Sequence, residues 1–327
     1  MNNNRQAALD LSRFVAAMVV FLGHLFFLPQ TYSWSHDTIN KLSFIRVGDT
    51  AVLFFFALSG YVLTIRSDSQ RYFDWLKRRL TRLYPVYFFA WIFGLALVIL
   101  HDKSLLNLKV LALGLIGFQS VDPEINLVIN APLWSLSIEI LGAFFLYFVL
   151  KLRKWPYVLV ILLVVSIVAW SFEASSPVFR AAPYLIVGVL LRCDHFKNHG
   201  IPTLKASLLS ILLIGYFSFF GAKQILDLSA SITGELAKLF IVAFALFLVS
   251  NIELRGRITE IAIGLGKRSF CIYAFHYPIL LIFNYFIQPS TNTQMYLYLL
   301  MCTICTMVIS ELTFKFIDVP ATKWSKK

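Results

Sequence analysis

The chain has 327 residues, of which 59% are apolar or aromatic and only 14% are charged. Soluble domains have roughly 45–50% apolar and about 25% charged residues, and a soluble fold of this composition would leave large apolar patches exposed. The composition therefore excludes an ordinary soluble protein and predicts an integral membrane protein whose solvent is the lipid bilayer.

The net charge of +12 would suggest nucleic acid as a partner of a soluble chain. Cytoplasmic loops of membrane proteins carry an excess of Lys and Arg, and we interpret the charge in that way, with no nucleic-acid partner. The four cysteines lie in or beside apolar stretches, and the Cys302/Cys305 pair has no neighbouring His. We interpret them as small packing residues and expect no metal site.

A span of the hydrocarbon core needs about 20 apolar residues, and it must be helical because lipid offers no partners for free backbone groups. Ten segments meet or nearly meet this length, at about 10–30, 49–66, 83–100, 133–150, 156–172, 177–192, 204–221, 235–250, 269–287 and 295–316. The sequence thus predicts an all-α polytopic transmembrane helical bundle of about ten spans, forming a single domain over 1–327 with no soluble domain appended.

An eleventh apolar stretch, at about 105–120, is short and contains Lys109, Gly114 and Gly117. If it only dips into the bilayer, the loops rich in Lys and Arg all fall on one side, which the bias of cytoplasmic loops requires. If it crossed, every later loop would change sides. We therefore predict a re-entrant or interfacial segment here, with both chain termini in the cytoplasm.

The first span contains three ionisable residues, Asp10, Arg13 and His24. Such residues are costly inside a bilayer and are functional candidates for that reason. Asp10 and Arg13 are three residues apart and can pair on one helix face. Arg13 and His24 are about three turns apart on the same face. The pattern predicts a polar stripe with His24 in its outer half; the alternative is a structural histidine bonded to a neighbouring helix.

The segment LWSLSIE places Glu139 just inside the fourth span, with Trp134, Ser135 and Ser137 beside it. On the predicted topology Glu139 lies at a depth similar to His24, and a carboxylate that orients an imidazole is an arrangement used in general acid–base catalysis. The alternative is a structural bond from Glu139 to an arginine or a serine.

A basic run just before the third span contains Arg78, Arg79 and Arg82. A positive cytoplasmic loop explains this run. The more specific hypothesis is an anion site, because the guanidinium of arginine binds phosphate through bidentate hydrogen bonds. His276 is a further candidate inside the ninth span, where Pro278 removes a helical hydrogen bond.

Six motifs in order resemble the acyltransferase 3 family of bacterial membrane acyltransferases. They are LDLSRFVAAMVVFLGH (9–24), FFFALSGYVL (54–63), RRLTRLYPVY (78–87), LWSLSIE (133–139), LGKRSFCIYAFHYPI (265–279) and FKFIDVP (314–320). The chain departs from the family pattern at Leu11-Ser12, at Ala51-Val52-Leu53 and at Asp318.

The resemblance implies a catalytic His24, an essential Arg13, a functional Glu139 and binding of acyl-CoA by Arg78, Arg79 and Arg82. It implies a membrane O-acyltransferase that moves an acyl group, with acetyl expected, from cytoplasmic acetyl-CoA to a hydroxyl of a surface polysaccharide or lipid-linked sugar. The expected location is the bacterial inner membrane. The alternative function is a transporter or flippase for a lipid-linked saccharide, although the repeats common in transporters are not visible.

Overall fold

The computed structural model describes residues 3–27, 48–64, 71–101, 103–125, 127–172, 176–193, 232–287 and 291–325. Within these ranges the chain is helical and contains no β-strand, which confirms the all-α class. The span expected at about 204–221 lies outside the described residues.

Eleven α-helices occur in the described part of the chain. They are α1 (Asn3–Phe27), α2 (Gly48–Thr64), α3 (Tyr72–His101), α4 (Leu108–Ile116), α5 (Leu133–Lys151), α6 (Pro156–Phe172), α7 (Pro177–Leu190), α8 (Ile232–Ser250), α9 (Arg257–Phe286), α10 (Asn292–Thr313) and α11 (Val319–Trp324). A π-helical turn, Phe314–Asp318, joins α10 to α11.

Five helical stretches among the described residues are long and apolar enough to cross a membrane. They are Asn4–Leu25, Tyr72–His101, Leu133–Lys154, Arg257–Phe286 and Thr293–Trp324. Three further apolar helices, α2, α6 and α7, are shorter. The expected count of about ten spans is therefore not established, whereas the all-helical fold with five candidate membrane-spanning helices is.

Side-chain contacts give the directions of the helices. α1 and α3 both run in the direction of α9, because His24 lies beside His276 and the rings of His101 and Tyr285 are 4.8 Å apart at the two helix ends. α5 runs in the opposite direction to α3, because Tyr72 at the start of α3 reaches the backbone of α5 near its end.

One end of the bundle collects the start of α3, the end of α5 and the basic turn 152–154, and Arg153 donates there to the carbonyl of Thr64 at the end of α2. We call this the basic end. The start of α1 lies there as well, since Arg5 pairs with Glu253 just before α9. α10 runs back towards the same end, because Glu311 near its end pairs with Arg268 near the start of α9.

The segment between α3 and α5 leaves and returns at the end of the bundle opposite the basic end. Among its described residues one α-helix occurs, α4, which has nine residues. That is about 14 Å at 1.5 Å per residue, against a hydrocarbon core of about 30 Å. It nevertheless enters the bundle, since Tyr87 in the middle of α3 donates to the carbonyl of Gly114. Gly117 then ends the helix with φ of 79°, a conformation that glycine adopts without strain. These contacts agree with the re-entrant segment that the loop charges predict, which stays a prediction, and we keep that name for residues 103–132.

α2 and α7 pack backbone against backbone. A Cβ on Gly188 would collide with the carbonyl of Ala57, and a Cβ on Gly60 would collide with that of Leu185. Small residues allow such close approach between membrane helices. The contact fixes α2 in place, and α2 supplies Ser59 and Asp49 to the polar groups described below.

Candidate functional site

Two histidines from different helices meet inside the bundle. Nδ1 of His24 on α1 lies 3.0 Å from Nε2 of His276 on α9, and the two ring centroids are 5.1 Å apart. His276 is fully buried, with the ring of Phe21 edge-on to it at 6.2 Å. Tyr277 packs edge-on against His24 at 5.2 Å. Both histidines were candidates, and the structure joins them into one pair, 252 residues apart in the chain.

A second polar contact lies one helical turn from this pair, towards the basic end. The hydroxyl of Tyr273 is 2.7 Å from that of Ser135, and it also donates to the carbonyl of Pro132 at 3.2 Å. The Tyr273 ring lies 5.9 Å from that of His276. The candidate Ser135 thus supports the tyrosine that packs against the histidine pair.

Glu139 forms an ion pair with Arg79, in which the guanidinium on α3 contacts the carboxylate on α5. Ser59 on α2 donates to the same carboxylate at 3.1 Å and accepts from Arg79 at 3.1 Å. The side chains of Arg79 and Glu139 are only 12% and 14% exposed. The three groups tie α2, α3 and α5 together.

The expected contact between Glu139 and the His24 imidazole is not what the structure shows. Glu139 lies four residues beyond Ser135 on α5, in the direction of the basic end, whereas His276 lies three residues beyond Tyr273 in the other direction. At 1.5 Å per residue these steps separate the two sites by roughly 10 Å along the helices. Glu139 instead forms the structural bonds to an arginine and a serine that the sequence analysis gave as the alternative.

The three arginines of the basic run have different surroundings. Arg78 and Arg82 are exposed at the basic end of α3, whereas Arg79 is held by Glu139. Phosphate binding by all three therefore does not fit Arg79, which is largely buried and donates through Nη2 to Glu139 and Ser59. Arg78 and Arg82 keep the accessibility that a phosphate site needs.

Each of the remaining candidate residues makes contacts with its neighbours that account for its position. Arg13 donates to Asp10 at 3.0 Å, as their spacing predicted, and Asp10 packs so closely on Gly266 that a Cβ there would collide with it. Trp134 packs on Phe56, with ring centroids 5.9 Å apart. The Ser137 hydroxyl accepts from the backbone N–H of Ser120 in the re-entrant segment at 3.1 Å.

The sequence analysis missed a charged cluster formed by Asp49, Arg180, Glu235 and Lys238, which we call the four-charge cluster. Arg180 donates to both oxygens of Asp49, at 2.9 and 2.5 Å, and to Glu235 at 2.8 Å. Lys238 contacts the same two carboxylates at 3.3 and 2.8 Å. These residues resemble loop charges in the sequence because they lie near the ends of apolar runs.

The described residues contain no group of three or more His, Cys, Asp or Glu that could hold a metal ion. The described site offers a paired imidazole, hydroxyl groups beside it, and exposed arginines at the basic end.

Comparison with known proteins identifies several curated relatives, three of which represent them here. The chain is 27% identical to the O-acetyl transferase of Shigella phage Sf6 over 40% of this chain and 42% of that protein. It is 24% identical to O-acetyltransferase OatA of Staphylococcus aureus (strain NCTC 8325 / PS 47), over 82% of this chain and 52% of the relative. It is 26% identical to acyltransferase MdmB of Streptomyces mycarofaciens, over 82% of this chain and 77% of that protein.

The chain thus spans about half the length of the two O-acetyltransferases that it matches. No solved structure matches it. The model of one family, described as an acyltransferase domain, matches residues 6–311. This range includes both histidines, the Arg79–Glu139 pair and the four-charge cluster, and it confirms the family that the motifs indicate. The chain belongs to the acyltransferase 3 family.

Proposed function

We propose that this protein is a membrane O-acyltransferase that moves an acyl group, acetyl in the simplest case, from acyl-CoA to a hydroxyl of a surface polysaccharide or lipid-linked sugar. The observation that carries the proposal is the His24–His276 pair, an imidazole held by another imidazole inside a bundle of this family. Two relatives that are named as O-acetyltransferases support the choice of an oxygen acceptor and of acetyl.

The donor would bind at the basic end. Lys and Arg accumulate in cytoplasmic loops, so we place the basic end and both chain termini in the cytoplasm, with the bundle in the bacterial inner membrane. Acyl-CoA is made in the cytoplasm and carries phosphates, which the exposed Arg78 and Arg82 can hold through charge-assisted hydrogen bonds. Arg13, paired with Asp10 on the helix that carries His24, would steer the thioester end.

His24 would perform the transfer by one of two routes. In the direct route, its free ring nitrogen takes the proton of the acceptor hydroxyl while that oxygen attacks the thioester carbon. The new O–C bond forms, the C–S bond breaks, and the proton passes from His24 to the departing CoA thiolate. In the covalent route, His24 first accepts the acyl group and CoA leaves as the thiolate. The acceptor oxygen then attacks the acyl carbon, and the bond between that carbon and His24 breaks. The proton of the hydroxyl passes to His24 and from there to the CoA thiolate.

We assign a structural role, and not a reacting one, to Arg79, Glu139 and Ser59. Their bonds join three helices between the basic end and the histidine pair. Removing Glu139 would therefore disturb the path along which the acyl group reaches His24, although the carboxylate does not contact the ring.

The experiment uses purified protein in lipid nanodiscs with radiolabelled acetyl-CoA and the lipid-linked saccharide fraction extracted from host membranes. We expect label in an alkali-labile saccharide ester and an equal amount of free CoA thiol. A transporter would release no CoA thiol above the rate of empty nanodiscs. That result, together with unchanged acetylation of surface polysaccharide in cells that lack the gene, would contradict the proposal.

A further inference from the structure

We propose that His276 is a positioning residue that holds His24 in one tautomer, with the proton on Nδ1 and the lone pair on Nε2. Nε2 of His24 is then the nitrogen that reacts. The role of His24 in transfer rests on the proposed function; the tautomer itself rests only on the geometry of the pair.

The proton on His276 is placed by its own helix. Nδ1 of His276 lies 3.1 Å from the backbone carbonyl oxygen of Ile272. A carbonyl oxygen only accepts hydrogen bonds, so Nδ1 must carry the proton. A neutral imidazole has one N–H, and a fully buried ring without a carboxylate among its described contacts is best accommodated in the neutral form. Nε2 of His276 is therefore an acceptor.

The second proton follows from the first. Nδ1 of His24 lies 3.0 Å from the Nε2 acceptor of His276, so Nδ1 of His24 must be the donor in this bond. Nε2 of His24, with no recorded hydrogen bond to a described residue, keeps its lone pair.

The surroundings hold His276 in position. Pro278 lacks an N–H, so the carbonyl of Ala274, four residues earlier, has no helical partner. Asn130 of the re-entrant segment donates to that carbonyl at 3.2 Å and to the carbonyl of Ala90 on α3 at 3.3 Å. The helix that carries His276 is thereby fixed two residues from the ring, and Phe21 packs edge-on against the imidazole.

This arrangement suits a base or an acyl carrier. When Nε2 of His24 takes a proton or an acyl group, the ring becomes positively charged, and its Nδ1–H bond to the lone pair of His276 strengthens. In the serine-protease triad, an aspartate orients the reactive histidine and stabilises its positive charge. Here a neutral imidazole would do both in an apolar interior, without a buried negative charge.

The test compares His276→Gln with His276→Leu in the acetyl transfer assay. The amide oxygen of glutamine can accept from His24 near the position of Nε2, whereas leucine cannot accept. We expect His276→Leu to lower kcat by about tenfold or more, a part of what a general base contributes, while KM for acetyl-CoA stays unchanged. His276→Gln should restore most of the turnover. His101→Leu, at an exposed histidine near the end of α3, is the matched control and should behave as wild type.

A second measurement reads the tautomer in the resting protein, independently of activity. Nitrogen NMR of protein with 15N-labelled histidine distinguishes protonated from unprotonated ring nitrogens, and the resonances lost in His24→Gln belong to His24. We expect a protonated Nδ1 and an unprotonated Nε2. A proton on Nε2 of His24, wild-type kcat in His276→Leu, or a His276→Gln variant as slow as His276→Leu would each overturn the proposal. If wild-type protein transfers no acyl group, the proposed function fails, and the NMR result still decides the tautomer.

Discussion

The histidine pair and the four-charge cluster both bury polar groups between apolar helices, but their hydrogen bonding differs. In the cluster, Arg180 and Lys238 each contact both Asp49 and Glu235. Positive and negative charges balance, and every charge faces its opposite. In the histidine pair, one nitrogen of His24 is bound by His276, while the other has no recorded bond to a described residue.

This difference separates a structural role from a chemical one. Asp49 and Glu235 lie in the first turns of α2 and α8, where a helix N-terminus favours negative charge, and Arg180 on α7 joins them. The cluster therefore ties three helices together through its ion pairs. The histidine pair provides one nitrogen that no described residue binds, held in a fixed direction, which is what proton or acyl transfer requires.

The largest expected effect comes from breaking the four-charge cluster. Arg180→Ala leaves Lys238 as the one cation that contacts Asp49 and Glu235 among the described residues, and breaking a buried ion pair on one side costs about 3–5 kcal/mol. We expect a large fall in thermal stability in detergent. It can be followed with a thiol-reactive dye, because Cys193, Cys271 and Cys302 are buried free cysteines.

The matched control is the double variant Asp49→Ala/Arg180→Ala, which keeps the Lys238–Glu235 bond. It should be more stable than Arg180→Ala, because it removes one charge of each sign. Equal stability of the single and double variants, or a single variant as stable as wild type, would show that the cluster does not clamp the helices.

The next effect separates the arginines of the basic run. Arg78→Ala/Arg82→Ala removes exposed charges, so we expect normal stability and a KM for acetyl-CoA raised about tenfold, the equivalent of about 1.4 kcal/mol. Steady-state kinetics of the purified variant measures this change. The effect should diminish at high salt, since exposed charges are screened.

Arg79→Ala should give the opposite result. It leaves Glu139 buried without its cation, so we expect reduced stability, and Arg79→Ala/Glu139→Ala should recover part of it. An Arg79→Ala variant with wild-type stability and only a raised KM would show that Arg79 meets the donor and that its contact with Glu139 is dispensable.

The sequence predicted which residues are unusual better than it predicted their partners. His24, Arg13 and Glu139 are conspicuous because ionisable groups are rare in apolar runs. The partners of His24 and Glu139 lie 252 and 60 residues away in the chain, and a single sequence carries no information on which helix faces meet. Arg13 is the exception, since Asp10 lies on the same helix.

The re-entrant segment at 105–120 stays a prediction from loop charge, because a crossing there would reverse the side of every later loop. The separation of Glu139 from His24 was not predictable, because it depends on how α5 and α9 pack against each other. Asp49 and Arg180 were missed for a related reason: a charge near the end of an apolar run reads as a loop residue until the neighbouring helices are in place.

The central claim is that His24 carries out the transfer. Its most direct test is the turnover of purified His24→Gln with radiolabelled acetyl-CoA and the saccharide fraction, at matched protein levels and with His101→Gln as control. Glutamine keeps hydrogen bonding but cannot act as a base or an acyl carrier. We predict that His24→Gln folds normally and transfers no label above the background of empty nanodiscs, while His101→Gln remains active. Turnover by His24→Gln close to that of wild type would contradict the claim and the mechanism derived from it.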